Sequence, residues 1–455
     1  MTLHSVNPAT GLVLRSYQET DAAAVESCLV EAAEAQPVFA ARDQGSRNAI
    51  LNRAAELLES RAGEYARLMT LEMGKPIGAA EAEVAKCARV CRWYARHAER
   101  LLGDEAVATE ASESFVRFEP LGVILAVMPW NFPFWQVFRF AAPAIAAGNA
   151  GLLKHASNVS GCAVAIEEVL RDAGAPRGIF QSLLIPSSRV EPLIRDPRVR
   201  AVTLTGSDPA GRAVAAAAGD SLKKTVLELG GSDPFIVCAD ADLARAIATA
   251  VTARTINNGQ SCIAAKRFLV ERSIADEFEA GFRDAMAALR MGDPLDRDVQ
   301  IGPLATEAIR DELAAQVDAT IAGGGRRLLG GVIPSGPGWF YPPTVVADPP
   351  PDTPLRVEES FGPAAAILRF ESDEEAVALA NETEFGLAAS VWSRNPERAR
   401  RFVSELATGS VFVNAMVASD PRLPFGGIKN SGYGRELSGY GLREFLNIKT
   451  VWVES

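Results

Sequence analysis

Four short polar turns carry side chains able to do chemistry. NNGQSC at 257–262 places Cys262 after a glycine and a run of amides, at the end of a helical stretch. A thiol there has polar donors and access, the conditions that favour a thiolate nucleophile, whereas most unpaired cysteines are small core residues, as expected for Cys28, Cys87 and Cys238. LELGG at 227–231 ends an apolar run on Glu228, and its two glycines let a ligand or another backbone come close. A half-buried Glu228 has a raised pKa and suits a general base; paired with Lys223 or Lys224 it is structural, and both readings stay open. PWNFPFW at 129–135 holds one amide, Asn131, in an aromatic loop. That amide either donates to a developing oxyanion or caps the following helix.

The fourth turn, LTGSDPAGR at 204–212, opens an Ala-rich helix after a strand, so its free N–H groups can receive a phosphate. Arg212 and Ala213 stand where a P-loop needs Lys-Ser/Thr, and no GxGxxG fingerprint occurs in the chain. His97 and His155 lie in no matching turn, so a Cys–His hydrolase lacks its second member.

The elements that must hold these turns alternate. Apolar runs at 123–127, 152–154, 201–204, 226–229 and 235–237 read as buried strands with Ala-rich helices between most of them, which predicts a parallel α/β sheet. A second α/β unit follows: helices at 242–257 and 274–289 and after Pro303, with strands at 267–270, 365–370, 388–392 and 410–413. The Gly and Pro clusters at 323–325 and 330–354 read as surface loops. Helical periodicity over 50–58 and 65–69 stops at Gly74-Lys75-Pro76. Two β-like segments, 114–118 and 446–453, fit neither unit and predict pairing with each other or with another subunit.

With 455 residues, 46 basic and 57 acidic, the net charge is −11, which argues against a nucleic-acid partner or an anionic lipid surface. The most apolar stretch, 121–153, is broken by prolines and polar residues and predicts no membrane span; the first thirty residues show no signal peptide. Six cysteines without a disulfide framework fit a reducing cytoplasm, and three scattered histidines predict no metal site.

Taken together, PWNFPFW, LTGSDPAG, LELGG, NNGQSC, EESFGP (358–363), VFVN (411–414) and PFGGIKNSGYGRE (424–436) resemble the aldehyde dehydrogenase superfamily over nearly the whole chain. The resemblance implies a Rossmann-type cofactor domain (1–110 and 121–230), an α/β catalytic domain (231–425) and a small β oligomerisation element (111–120 and 426–455) of a homodimer or homotetramer. It implies Cys262 as nucleophile, Asn131 and the Cys262 N–H as oxyanion donors and Glu228 as general base. It assigns Trp130, Lys154, Ser157, Gly206, Ser207, Leu229, Glu359 and Phe361 to the dinucleotide. NAD-preferring relatives often carry a glutamate where Ser157 stands, so the serine, beside Lys154, predicts NADP over NAD.

Arg139 lies eight residues beyond Asn131 on the next helix, about two turns at ~5.4 Å each. In an apolar run a guanidinium needs a carboxylate, either a substrate's or an internal one. The KHASN (154–158) and NNGQSC segments, Arg139 and the serine before the proline-rich loop are similar to those of short succinate-semialdehyde dehydrogenases. That likeness implies a distal carboxylate held by Arg139, Ser261 and Ser419, a methylene path lined by Trp135 and Phe425, and oxidation of succinic semialdehyde; glutaric semialdehyde or aliphatic aldehydes are the rival substrates.

Overall fold

In a computed structural model, which describes residues 2–454, the apolar runs become the central strands of two sheets. The first has six strands, in the order Gly432–Tyr433, Lys224–Glu228, Val199–Thr205, Val123–Met128, Ala150–His155 and Phe180–Ser182. All neighbours are parallel except Gly432–Tyr433, which runs antiparallel to Lys224–Glu228. Parallel strands buried on both faces need helices on both sides, and the near-continuous apolar runs supply that burial. Glu228, Gly206 and the aromatic loop all follow the carboxyl ends of these strands, the edge where open α/β sheets bind ligands. Upstream, helices Gln44–Ser60 and Ala62–Met73 match the periodic stretches, and the second ends on Gly74 at φ +80°, a left-handed cap that favours glycine.

The second sheet has seven strands, in the order Arg326–Leu329, Thr344–Ala347, Ala364–Phe370, Arg267–Glu271, Pro234–Val237, Ala388–Trp392 and Ser410–Val413. Two expectations need correction. The run at 235–237 was grouped with the first set of strands, but it lies at the centre of the second sheet, between Arg267–Glu271 and Ala388–Trp392. The chain leaves the first sheet at Gly230-Gly231, where a β-carbon on Gly231 would press on the Cys262 carbonyl. The stretch 330–354, read as loop, contains the buried strand Thr344–Ala347; four residues among prolines are too short to announce themselves, and pairing on both sides holds them.

The two unassigned segments pair with each other. Leu446–Val453 runs antiparallel to Glu113–Pro120 over eight residues, with Glu105–Ala106 on the far side. The span 426–455, expected as one oligomerisation element, is divided: Ile428–Lys429 pairs with Phe385–Gly386, Gly432–Tyr433 joins the first sheet, and only the last strand enters the small one. Among the described residues no helix is long and apolar enough to cross a membrane, and no cluster of metal-ligating side chains occurs.

Candidate active site

Cys262 sits on a turn whose shape is over-determined. After helix Leu243–Thr255, Asn257, Asn258 and Gly259 adopt φ of 56°, 58° and 75°, three left-handed residues in succession. At Gly259 a side chain would collide with the Gly362 carbonyl, so only glycine fits. The amides absorb the cost of the other two. Asn258 Nδ2 donates to the carbonyls of Gly74 and Pro303 at 3.0 Å each, and Asn257 Nδ2 donates to the Asn131 carbonyl at 2.7 Å. Lys266 Nζ donates to the carbonyls of Ser261, Cys262 and Ala264 from below. Burial pushes the Cys262 thiol up to about 12, although Arg139 and Lys266 pull the other way. A thiol so placed needs a proton acceptor before it can attack.

Asn131 does not cap the helix that follows. The N–H groups of Phe134 and Trp135 at the start of helix Trp135–Ala147 donate instead to Glu83 Oε1, at 2.9 Å each, and Glu83 is paired with buried Lys75. Lys75 Nζ also stands 4.2 Å from the Phe132 ring centroid. The Asn131 amide is left for other work: Nδ2 donates to the Gln260 carbonyl at 3.1 Å, which occupies one of its two N–H bonds. The Cys262 backbone N–H donates to no acceptor among the described residues. Among the described residues two donors are thus left free, and Asn131 and Cys262 line the same cleft.

Glu228 has neither of its possible lysine partners. Lys223 Nζ donates to the carbonyls of Ile194 and Asp196, and Lys224 pairs with Glu444 at 3.0 Å. Both carboxyl oxygens of Glu228 are buried without a hydrogen-bond partner among the described residues. Burial, and then the charge of Glu436, hold this carboxyl well above the usual range, with Arg139 and Arg435 opposing. Glu228 itself does not line the cleft that Leu229 and Gly230 line; its carboxyl lies against Gly426.

That cleft, about 250 Å³, is bordered by Trp130, Asn131, Gly206, Ser207, Leu229, Cys262, Glu359 and Phe361. Phe361 meets Trp130 edge-on at 5.7 Å, and Glu359 Oε1 accepts from the Gly231 N–H at 2.9 Å. Gly206 and Ser207 present the N-terminus of helix Asp208–Asp220, with Ser207 as its N-cap residue. Lys154 and Ser157 lie outside this lining, at the end of strand Ala150–His155. Lys154 is buried, has no hydrogen-bond or ion-pair partner among the described residues, and has its pKa lowered by burial alone. An uncompensated cation and a helix N-terminus are donors suited to phosphate, and the Glu359 carboxylate is an acceptor suited to sugar hydroxyls. Ser157 is exposed and uncharged.

On the other side of Cys262 is a smaller cavity, about 70 Å³, lined by Lys86, Phe132, Trp135, Gln136, Arg139, Ser261, Ser419 and Phe425 among others. Arg139 lies over the Phe425 ring at 4.7 Å, and its Nε pairs with buried Glu436, the internal partner that the sequence left open. Ser261 Oγ is buried without a hydrogen-bond partner among the described residues. Sequence reasoning missed Lys86 and overlooked Glu436 inside a quoted motif. A signal existed for the first: Glu83, Cys87, Val90 and Tyr94 form the buried stripe of helix Ile77–Leu102, and Lys86, three residues from Glu83, shares that face. Glu312 and Gln316, which line the dinucleotide cleft from helix Glu307–Ala322, were also missed.

Comparison with known proteins bears on this geometry. The aldehyde dehydrogenase family profile matches residues 1–451. A probable NADP(+) succinate-semialdehyde dehydrogenase of Synechocystis is 53% identical over 453 residues, covering 100% of both chains. The NADP(+) succinate-semialdehyde dehydrogenase of Mycobacterium avium is 52% identical over 464 residues, covering 100% of this chain and 97% of that one. The solved structure of succinic semialdehyde dehydrogenase from Streptococcus pyogenes, in complex with NADP+, superposes with a TM-score of 0.98 at 35% identity over 100% of both chains. A chain with this fold and these full-length matches belongs to the aldehyde dehydrogenase family.

Proposed function

We propose that the protein oxidises succinic semialdehyde to succinate with NADP as the preferred acceptor and NAD as the weaker one. The observation that carries this reading is the place of one sulfur: Cys262 lines both the larger cleft and the smaller cavity, so a nicotinamide in the first and an aldehyde in the second meet across it. Attack of Cys262 Sγ on the carbonyl carbon forms a C–S bond, the thiol proton passes by way of water to Glu228, whose carboxyl lies outside the cleft, and the oxyanion takes the free Asn131 and Cys262 N–H donors. A bound nicotinamide dinucleotide supplies the hydride acceptor, leaving a thioester on Cys262. Glu228 releases that proton to solvent and takes another from water as hydroxide adds to the thioester; the C–S bond breaks, and the leaving thiolate takes the proton back from Glu228, which restores the thiol. Aldehyde, NADP+ and water become acid, NADPH and a proton.

The likeness to NADP-named relatives supports the cofactor, as do unpartnered Lys154 and uncharged Ser157. The small cavity with its cationic side chains, Lys86 and Arg139, supports a short substrate with a terminal carboxylate over a long aliphatic one. A kinetic matrix tests both: succinic semialdehyde, glutaric semialdehyde and butanal against NADP and NAD. The expected result is the highest kcat/KM for succinic semialdehyde with NADP; equal constants for butanal, or a preference for NAD, would overturn the respective half. Ser157→Glu is expected to shift the NADP-to-NAD ratio of kcat/KM towards NAD by about tenfold or more, one carboxylate–phosphate repulsion of ~1.4 kcal/mol. The strand Leu446–Val453 keeps one unpaired edge with Ile448 and Trp452 exposed, which supports assembly as a homodimer or homotetramer; sedimentation at monomer mass would refute that.

A further inference from the structure

Lys75 and Lys266 are both fully buried lysines, and they use their charge differently. Lys75 is bonded to the Glu83 carboxylate. Lys266 Nζ is bonded to none: the carboxylate oxygen in ion-pair range, Glu359 Oε1, stands 3.9 Å away and already accepts the Gly231 N–H. Its donors go to three backbone carbonyls of the catalytic turn, those of Ser261 at 2.9 Å, Cys262 at 2.7 Å and Ala264 at 3.0 Å. Three acceptors around one nitrogen match the ammonium, because a neutral amine has only two N–H bonds. The first of these carbonyls is the other end of the peptide unit that carries the Cys262 N–H, and that N–H donates to no acceptor among the described residues. We infer that Lys266 is a positioning residue acting through this peptide: its ammonium polarises the Ser261 carbonyl and so strengthens the Cys262 N–H as an oxyanion donor. This role rests on the reading of that N–H, with Asn131, as the donors to the oxyanion.

The physical basis is resonance across the peptide. A cation at the carbonyl oxygen draws charge towards it, raises the double-bond character of the C–N bond and leaves the N–H hydrogen more positive. The Ser261 oxygen also accepts the Ala264 N–H at 3.1 Å, and hydrogen bonds in series polarise one another. A charged donor bonds roughly twice as strongly as a neutral one. Holding the turn requires no charge, since Asn257 and Asn258 already pin it with neutral amides. An ammonium buried on carbonyls costs more stability than a neutral donor would, so its presence points to a demand that arises during the reaction, when negative charge develops at the other end of the same peptide. Burial lowers the Lys266 pKa while Glu359 and then Asp233 oppose it, so these carboxyl groups favour the charged form without taking its donors.

Lys266 also draws the Cys262 thiol pKa down, so the test compares two reactions of the one sulfur. Iodoacetamide alkylates Cys262 with loss of iodide and forms no oxyanion; p-nitrophenyl acetate acylates it through a tetrahedral oxyanion with loss of p-nitrophenolate. Both rates scale with the thiolate fraction and the folded fraction, which therefore cancel in the acylation-to-alkylation ratio. The ratio is measured on the intact wild type, Lys266→Met, Lys266→Gln and Asn131→Ala, with alkylation followed on the Cys262 peptide by mass spectrometry. Lys266→Met is expected to lower the ratio about tenfold, part of the roughly 10²- to 10³-fold loss that follows removal of a whole oxyanion donor, and to lower kcat for NADP-linked oxidation by a like factor with little change in KM. Lys266→Gln, which keeps N–H donors without the charge, is expected to fall between the methionine variant and the wild type, and it decides the matter alone if the methionine variant does not fold. A ratio unchanged in the folded Lys266 variants while Asn131→Ala lowers it would overturn the inference. A ratio unchanged in Asn131→Ala as well means that the oxyanion reading has failed, and the two failures are thereby told apart.

Discussion

Glu83 and Glu228 are both buried glutamates, yet the protein treats them oppositely. Glu83 pairs with Lys75 and accepts two backbone N–H bonds, so its charge is spent on holding the start of helix Trp135–Ala147. Glu228 is given no donor, and the largest charge acting on it is another carboxylate, Glu436. The first arrangement lowers the free energy of the fold; the second leaves an unsatisfied group whose cost only turnover explains. The difference teaches that burial alone is a poor guide to a catalytic acid, and that burial without a partner is what recommends Glu228 for the proposed role.

Replacing each glutamate by glutamine sharpens the contrast. Glu228→Gln is expected to reduce kcat for NADP-linked oxidation by roughly 10²- to 10⁴-fold, the range for loss of a general base, read in steady-state and burst kinetics. Because the Glu228 pKa is raised in the folded protein, the wild type loses stability as pH climbs through that value, so the variant should be more stable than the wild type at alkaline pH in urea titrations. Glu83→Gln should do the reverse, costing about 3 kcal/mol of stability by leaving Lys75 buried without its counter-charge. If Glu228→Gln were destabilised as much as Glu83→Gln, the two sites would be of one kind.

The smallest effect concerns the pH profile. The base works as a carboxylate, and its raised pKa means kcat increases with pH through that value. Glu436→Gln removes the opposing charge and frees Arg139 to act on Glu228, two changes of one sign, so the rise in kcat should move to lower pH. A profile left in place would show that Glu436 serves only to neutralise Arg139.

Much of this was legible beforehand. The runs at 123–127, 201–204 and 388–392 became strands because continuous apolar stretches have one stable fate, burial on both faces of a sheet. The turn at 257–262 announced itself because amides and a glycine are the residues that left-handed backbone admits. Thr344–Ala347 did not, since its pairing comes from distant neighbours, and 235–237 did not reveal which sheet it would enter. Lys223 and Lys224 stood near Glu228 in sequence yet pair elsewhere: Lys224 shares its face of the strand but lies four residues, ~13 Å, away, and Lys223 precedes the strand.

The sequence by itself determined the family, the order of the elements and the types of residue at the sulfur, the amide and the acid, since each depends on local pattern or on motifs read in succession. Only the tertiary structure decided which charges are met: Arg139 with Glu436, Lys75 with Glu83, and Glu228, Lys86 and Lys154 with none. The reason is that a charge's partner is chosen by distance through space, and residues hundreds of positions apart, such as Lys86 and Ser419, become neighbours only when the chain has closed on itself.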